Sequence, residues 1–350
     1  MRAELLRADN WTPRTRTPWG GQKIASRYKA GLGLAAATPG AVVGESWEVS
    51  VEPSFPSVLA RTGERLDAVI AADPVGWLGE AVVARHGAQL SLLVKLLDAA
   101  DELSVQVHPE ADDPALAEDE SGKPEAWIVL EAEEGGGLYL GFRDGVGRAQ
   151  VEACLRSGGR LDALMNFVPV QPGDAFVIDA GTVHAIGAGV TLVEPQHVVP
   201  GRKGVTYRYW DWNRLYDGQG RPAADGAPRP LHVERSLAVT RWGAAGGDAF
   251  VARCRATPKE LEATGGMTRT ALLASDAFEA ERWTGSGHLI ATTEGRFTAV
   301  TCVAGRARLT AGGASVAIAR GQSAVIPAAA AEVTVDGAEA VDLMVCRPLG

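Results

Sequence analysis

The segment Leu90 to Glu110, LSLLVKLLDAADELSVQVHPE, carries the sharpest chemical pattern in the chain. In an extended strand successive side chains point to opposite faces. Ser104, Gln106 and His108 therefore fall on one side and Leu103, Val105 and Val107 on the other. Gln106 and His108, two positions apart on one wall, are spaced to be two ligands of a single metal ion. Zinc accepts imidazole nitrogen and carboxylate or amide oxygen, and a catalytic zinc keeps one position open for water or substrate. Two further ligands must come from elsewhere. The best candidates are His184, at a strand end in GDAFVIDAGTVH, and Glu125 in GKPEAWIVL. A lone histidine is more often satisfied by local hydrogen bonds, but His108 and His184 both close strands in motifs punctuated by Gly or Pro. His86 and His232 read as helix-surface residues, His197 is left open, and His288 has no comparable surroundings.

Three cations accompany this group. Lys95 interrupts the apolar run LSLLVKLLD with Leu93 and Leu97 on its own face, a placement that is unfavourable for a buried lysine unless it is paired or used. It is either an edge-strand lysine reaching water or a fixed positive charge inside a barrel, suited to a phosphate or an oxyanion. Lys123 lies two residues before Glu125, on its face if extended, and Arg208 sits among aromatics in VTYRYWDW. In a chain with formal net charge −9, such a cluster points to a small anionic ligand. It does not point to nucleic acid, which needs a concentrated basic surface.

Short apolar runs bounded by turn residues must position these groups. They recur at Gly44 to Val51, Leu90 to Asp98, Leu103 to Val107, Ala126 to Ala132, Asp174 to Ile178, Val190 to Val193 and Val205 to Trp210, the rhythm of a sandwich or barrel. Helical periodicity is confined to about Ala68 to His86, Gln150 to Ser157 and His232 to Val239. Asn213 to Pro230 reads as a loop. From about Thr268 to Cys346 a second series appears, TAVTCVA, ARLTA, SVAIA, SAVIP, EVTV and VDLMV, like another small β-barrel. This predicts a first domain over residues 1–245, with a short helical insertion at about 145–166, and a second over 246–350. The four cysteines form no C-x-x-C pair, and no apolar stretch approaches the roughly 20 residues of a membrane span. A cytoplasmic protein with neither membrane nor nucleic-acid partner is expected, with monomer and homodimer both open.

Gly173, Asp179, Gly181 and His184 recur in register as Gly321, Pro327, Ala329 and Glu332. The first set resembles the second signature motif of the cupin superfamily, in which a turn delivers a metal-binding histidine. The second set lacks the histidine, and is either a cupin repeat without a metal site or a chance strand and turn. The expected fold is thus mainly β, a cupin-type jelly-roll barrel with added helices and a second, smaller cupin-like β-barrel at the C-terminus.

Taken together, the chain resembles type I mannose-6-phosphate isomerases in TPWGGQKI (Thr17 to Ile24), GESWEVS (Gly44 to Ser50), LLVKLLDAADELSVQVHPE (Leu92 to Glu110), GKPEAW (Gly122 to Trp127), PGDAFVIDAGTVHAIGAGVTLVE (Pro172 to Glu194) and TYRYWDWNR (Thr206 to Arg214). The resemblance implies one zinc per chain on Gln106, His108, Glu125 and His184. It implies sugar-phosphate contacts at Lys95, Ser104, Lys123, Glu194 and Arg208, and interconversion of mannose 6-phosphate and fructose 6-phosphate through a cis-enediol. Glu194 is the candidate acid/base, with Lys123 and Arg208 supporting developing charge; the alternative for Glu194 is an ion pair with Arg208. The family pattern departs at EPQHVVPGRKGVTYR, where Lys203 and Gly204 stand in place of Ser-Asp and Arg202 adds a further cation. A different phosphorylated sugar, a nonenzymatic sugar-phosphate-binding protein and a redox-metal oxygenase are the competing readings.

Overall fold

The computed structural model describes residues 1–34, 40–243 and 246–350. Two five-stranded antiparallel sheets face one another. The first runs in the order Glu45–Val49, Leu92–Ala99, Val190–His197, Glu125–Ala132, Ala175–Ile178, and the second in the order Tyr207–Trp210, Val105–Val107, His184–Ile186, Gly137–Phe142, Met165–Pro169. Between them lies a core that includes Leu97, Trp127, Val129, Leu138, Leu140, Phe176, Ile186 and Leu192. Both faces of the first sheet are buried, so its strands read as continuous apolar runs. Val94, Leu96, Ile128 and Val193 on its outer face pack against Leu66, Ile70 and Leu78 of the helical segment and against Phe278, Val325 and Met344 of the C-terminal sheet. The outer face of the second sheet, with Val105, Val107, Ala185 and Tyr209, is covered by Val151 of helix Arg148–Arg156 and Leu237 of helix Val233–Val239.

The C-terminal region builds eight strands of one nine-stranded antiparallel sheet. It encloses an apolar core that includes Trp283, Leu289, Val300, Leu309, Val335 and Leu343. The N-terminal strand Glu4–Leu5 crosses over to pair with Ser323–Ile326. At the seam Lys29 Nζ lies 2.7 Å from Glu48 Oε1, both buried, and Ser323 Oγ donates to Glu48 Oε2 at 2.8 Å. The mainly β, cupin-type fold is the one expected. Among the described residues no helix is long and apolar enough to cross a membrane. The 245/246 boundary falls against residues 244–245, outside the described residues.

Several local expectations change. The single helix at 68–86 is three short ones, Leu66–Ala72, Pro74–Leu78 and Glu80–His86. Pro74 has no N–H to continue the first, and Gly79 at φ 91° ends the second. EVTV and VDLMV belong to one continuous strand, Glu332–Pro348. The strands Gly137–Phe142, Met165–Pro169, Lys259–Thr264 and Phe278–Thr292 and the helix Gly247–Cys254 extend the expected set. Leu103 precedes the short strand Val105–Val107 and joins the core between the sheets, whereas Val105 and Val107 face outward. His86 is half-buried: its Nε2 meets Leu349 O at 2.8 Å and its ring lies against His197.

Candidate metal centre

Strand register assembles the centre. Arg208 lies opposite Gln106, and Gln106 opposite His184, so the three share a face of the second sheet. From the first sheet comes Glu125, flanked by Ile178 on one side and Gln196 on the other. Its carboxylate meets both histidines: His108 Nε2 is 3.3 Å from Glu125 Oε2, and His184 Nε2 is 3.2 Å from Oε1. Gln106 Nε2 lies 3.3 Å from His184 Nε2, and Ser104 Oγ donates to Gln106 Oε1 at 3.5 Å. The polar row read along Ser104, Gln106 and His108 therefore does face the interior. His184 and Glu125, far away in sequence, are brought to it.

The donor set fits a zinc ion. The Nδ1 atoms of His108 and His184 meet the carbonyls of Val205 at 3.1 Å and Thr182 at 2.8 Å. Donation there fixes the tautomer and leaves each Nε2 lone pair pointing inward. Among the described residues, His108 Nε2 and Glu125 Oε1 are buried with no hydrogen bond despite these close approaches, an unfavourable state that a shared cation would relieve. Half a turn of the Gln106 amide exchanges its two terminal atoms and would turn the oxygen toward His184, in place of the nitrogen that now lies there. Burial, with Lys123 nearby, lowers His108 to about 3, so the ring is neutral as ligation requires. Burial pushes Glu125 upward, but the Lys123 charge beside it helps hold the carboxyl well below its ordinary value.

Lys95 and Glu194 lie opposite each other in adjacent strands, Nζ to Oε1 at 3.1 Å, and both are buried. Leu92–Ala99 is an interior strand of its sheet, so the edge-lysine alternative does not hold. Lys95 Nζ also sits 5.0 Å from the Trp47 ring centre. Glu194 takes a second bond from Trp127 Nε1 at 3.0 Å. Burial and the charge of Glu125 raise its carboxyl despite the lysines. It does not pair with Arg208, whose Nη1 donates to Pro230 O at 2.8 Å and whose backbone N–H is taken by His232 Nδ1. Burial and Arg229 lower the Arg208 guanidinium to about 10. Lys123 Nζ lies 3.3 Å from Glu125 Oε2. The cations are thus split, Lys95 and Lys123 on one side of the centre and Arg208 on the other.

Three further side chains support the centre, and two of them, both tryptophans, escape the sequence reading. Gln196 Nε2 donates to Glu125 Oε2 at 2.6 Å. Its signal was the two-residue step from Glu194 along one strand. Trp47 and Trp127, which hold Lys95 and Glu194, are indistinguishable in sequence from core aromatics. The other acidic cluster among the described residues, Glu279, Glu281 and Glu294, is neutralised by Arg296 and Arg347.

Fold and centre define a cupin-type β protein with a buried His–Glu–His group suited to a metal ion. Residues 14–139 match the family model for the phosphomannose isomerase type I catalytic domain, and residues 268–346 the model for the mannose-6-phosphate isomerase cupin domain. The mannose-6-phosphate isomerase of Streptococcus mutans is 30% identical over 312 residues, covering 88% of each chain. The chain belongs to the type I mannose-6-phosphate isomerase family. Two solved structures share its fold. The Bacillus subtilis mannose 6-phosphate isomerase has a TM-score of 0.78 at 21% identity, covering 99% of both chains. The Salmonella typhimurium enzyme, bound to fructose 6-phosphate and zinc, has a TM-score of 0.69 at 18% identity, covering 100% of both.

Proposed function

We propose that the protein interconverts mannose 6-phosphate and fructose 6-phosphate through a cis-enediol, with one zinc held by Gln106, His108, Glu125 and His184. The observation that carries this reading is the pair of imidazoles anchored at Nδ1 on backbone carbonyls, with both Nε2 atoms turned onto Glu125. When bound, zinc supplies Lewis-acid polarisation of carbonyl and hydroxyl oxygens without redox chemistry. Glu194 removes the C2 proton of the open-chain aldose and returns it to C1. Lys95 and the Trp127 indole hold its carboxylate in place, and its raised pKa brings it nearer the working pH of an acid/base. Lys95, Ser104, Lys123 and Arg208 contact the sugar phosphate. Lys123 and Arg208 also stabilise negative charge as it develops on the substrate oxygens; the Arg208 Nε is buried with no partner of its own.

The same reading divides the chain into a catalytic domain, residues 1–245, with a helical insertion at about 145–166, and a second domain, residues 246–350, without a metal site. The four free thiols are suited to the reducing cytoplasm. The test is metal analysis of protein purified without added metal, joined to a coupled assay for fructose 6-phosphate formed from mannose 6-phosphate on the same preparation. Zinc near one equivalent with turnover is expected. A folded, zinc-replete sample with no isomerisation above background overturns the reading and leaves the nonenzymatic sugar-phosphate-binding alternative.

A further inference from the structure

A cavity of about 790 Å³ lies beside the centre, reached through side chains that touch Glu125 and Glu194 and not through the candidate ligands themselves. At its inner end stand Lys95, Lys123 and Gln196, which are bonded to Glu194, to Glu125 and to Glu125 respectively. Each inner lysine therefore already faces a buried carboxylate. The outer end carries three further cations, Arg16, Arg202 and Lys203, all exposed. None of these three makes an ion pair among the described residues. Glu52 and Asp119 share the lining without forming one, and Asp67, also in the lining, is tied to Arg65.

The outer cations have fixed supports. The Arg16 guanidinium lies 5.1 Å from the Trp47 ring centre and 5.3 Å from that of Phe55. Trp47 thus carries Arg16 as well as Lys95, and joins the two ends of the cavity. Lys203–Gly204 forms a short parallel pair with Glu120–Ser121. The Gly204 backbone presses on the Lys123 stem, where a Cβ would come within 3.0 Å of Lys123 Cδ. Arg202 and Lys203 belong to the segment in which the sequence departs from the family pattern.

We propose that Arg16, Arg202 and Lys203 form the phosphate-binding end of the cavity, leaving Lys95 and Lys123 to the reacting end of the sugar. In an open-chain hexose 6-phosphate the phosphate and the C1–C2 unit are at opposite ends, and the cavity separates unneutralised from neutralised cations in the same way. A phosphate monoester carries nearly two negative charges at neutral pH, and arginine meets it with two parallel N–H donors. The assignment rests on the sugar-phosphate reading above and specifies how that substrate is chosen.

Calorimetric titration of the zinc-replete full chain with fructose 6-phosphate, inorganic phosphate and fructose tests it, with melting temperature as the control for folding. In the double variant Arg202→Gln/Lys203→Met, Kd for fructose 6-phosphate and for inorganic phosphate should each rise at least tenfold, and KM for mannose 6-phosphate should rise in parallel. The charge-keeping variant Arg202→Lys/Lys203→Arg should recover most of the affinity. Arg16→Gln should act in the same direction with a smaller rise. If the double variant melts as the wild type does and binds both ligands equally well, the rim is wrong and the isomerase reading stands. If the wild-type protein binds fructose 6-phosphate through these residues yet does not isomerise it, the rim stands and the isomerase reading fails. Wild-type protein that binds no fructose 6-phosphate at all removes both.

Discussion

Gly173 to His184 and Gly321 to Glu332 are the same strand and turn used for opposite purposes. Both open on a glycine with positive φ, Gly173 at 95° and Gly321 at 82°, and both send a buried strand, Ala175–Ile178 or Ser323–Ile326, into an antiparallel sheet. In the first, the turn delivers His184 fully buried opposite Gln106, while Ile178 pairs with Glu125. In the second, it delivers an exposed Glu332 opposite Thr292, and the enclosed space is filled by Trp283, Leu309, Leu343 and their neighbours. One backbone device thus supports either a polar centre or a dry core. The difference lies in the side chains projected inward.

The sharpest way to break the comparison is at its functional end. His184→Ala should abolish zinc stoichiometry and lower kcat/KM at least about a thousandfold, some 4 kcal/mol of transition-state stabilisation. Retained metal and turnover would remove His184 from the centre. On the dry side, Trp283→Ala should lower unfolding stability by about 3–5 kcal/mol through the cavity it leaves, as a denaturant midpoint would record.

At the seam, Lys29→Met strands the buried Glu48 carboxylate and should destabilise by about 3 kcal/mol. A double variant with Glu48→Leu should recover much of that loss, and no recovery would mean the pair is not the source. His197, lowered to about 4 by burial and by His86, has a folded pKa below its unfolded one. Its contribution is therefore complete above about pH 6.5 and lost as pH falls toward 4. Stability should fall by up to about 2 kcal/mol between pH 7 and 5 on this account, and urea midpoints for His197→Gln should show a shallower fall. The smallest effect sharpens the comparison from the empty side. Glu332→His should shift stability by no more than about 0.5 kcal/mol and add no second zinc equivalent, because position 332 is exposed opposite Thr292 and outside the second core.

The juxtaposition of the candidate ligands is legible in the sequence because its spacing obeys strand geometry. A two-residue step along Ser104, Gln106 and His108 survives folding unchanged, and turn-bounded motifs marked His184 and Glu125. The helix breaks at Pro74 and Gly79 are not legible in the same way, because the apolar period across 68–86 runs through both. Other features depend on which strand lies beside which. Nothing in the spacing of Glu194 and Arg208 separates an ion pair from two unrelated residues. The register Glu194 to Lys95 decides it.

The sequence by itself determined the strand-rich cupin-type fold, the inward polar row, the candidate ligand residues and the missing histidine at Glu332, since periodicity and turn chemistry are local. Only the tertiary structure decided that Lys95 and Lys123 meet carboxylates inside while Arg16, Arg202 and Lys203 make no ion pair among the described residues. It also decided that Gln196 and two tryptophans complete the centre. Antiparallel register and sheet packing join residues tens to more than a hundred positions apart, and no period along the chain records that distance.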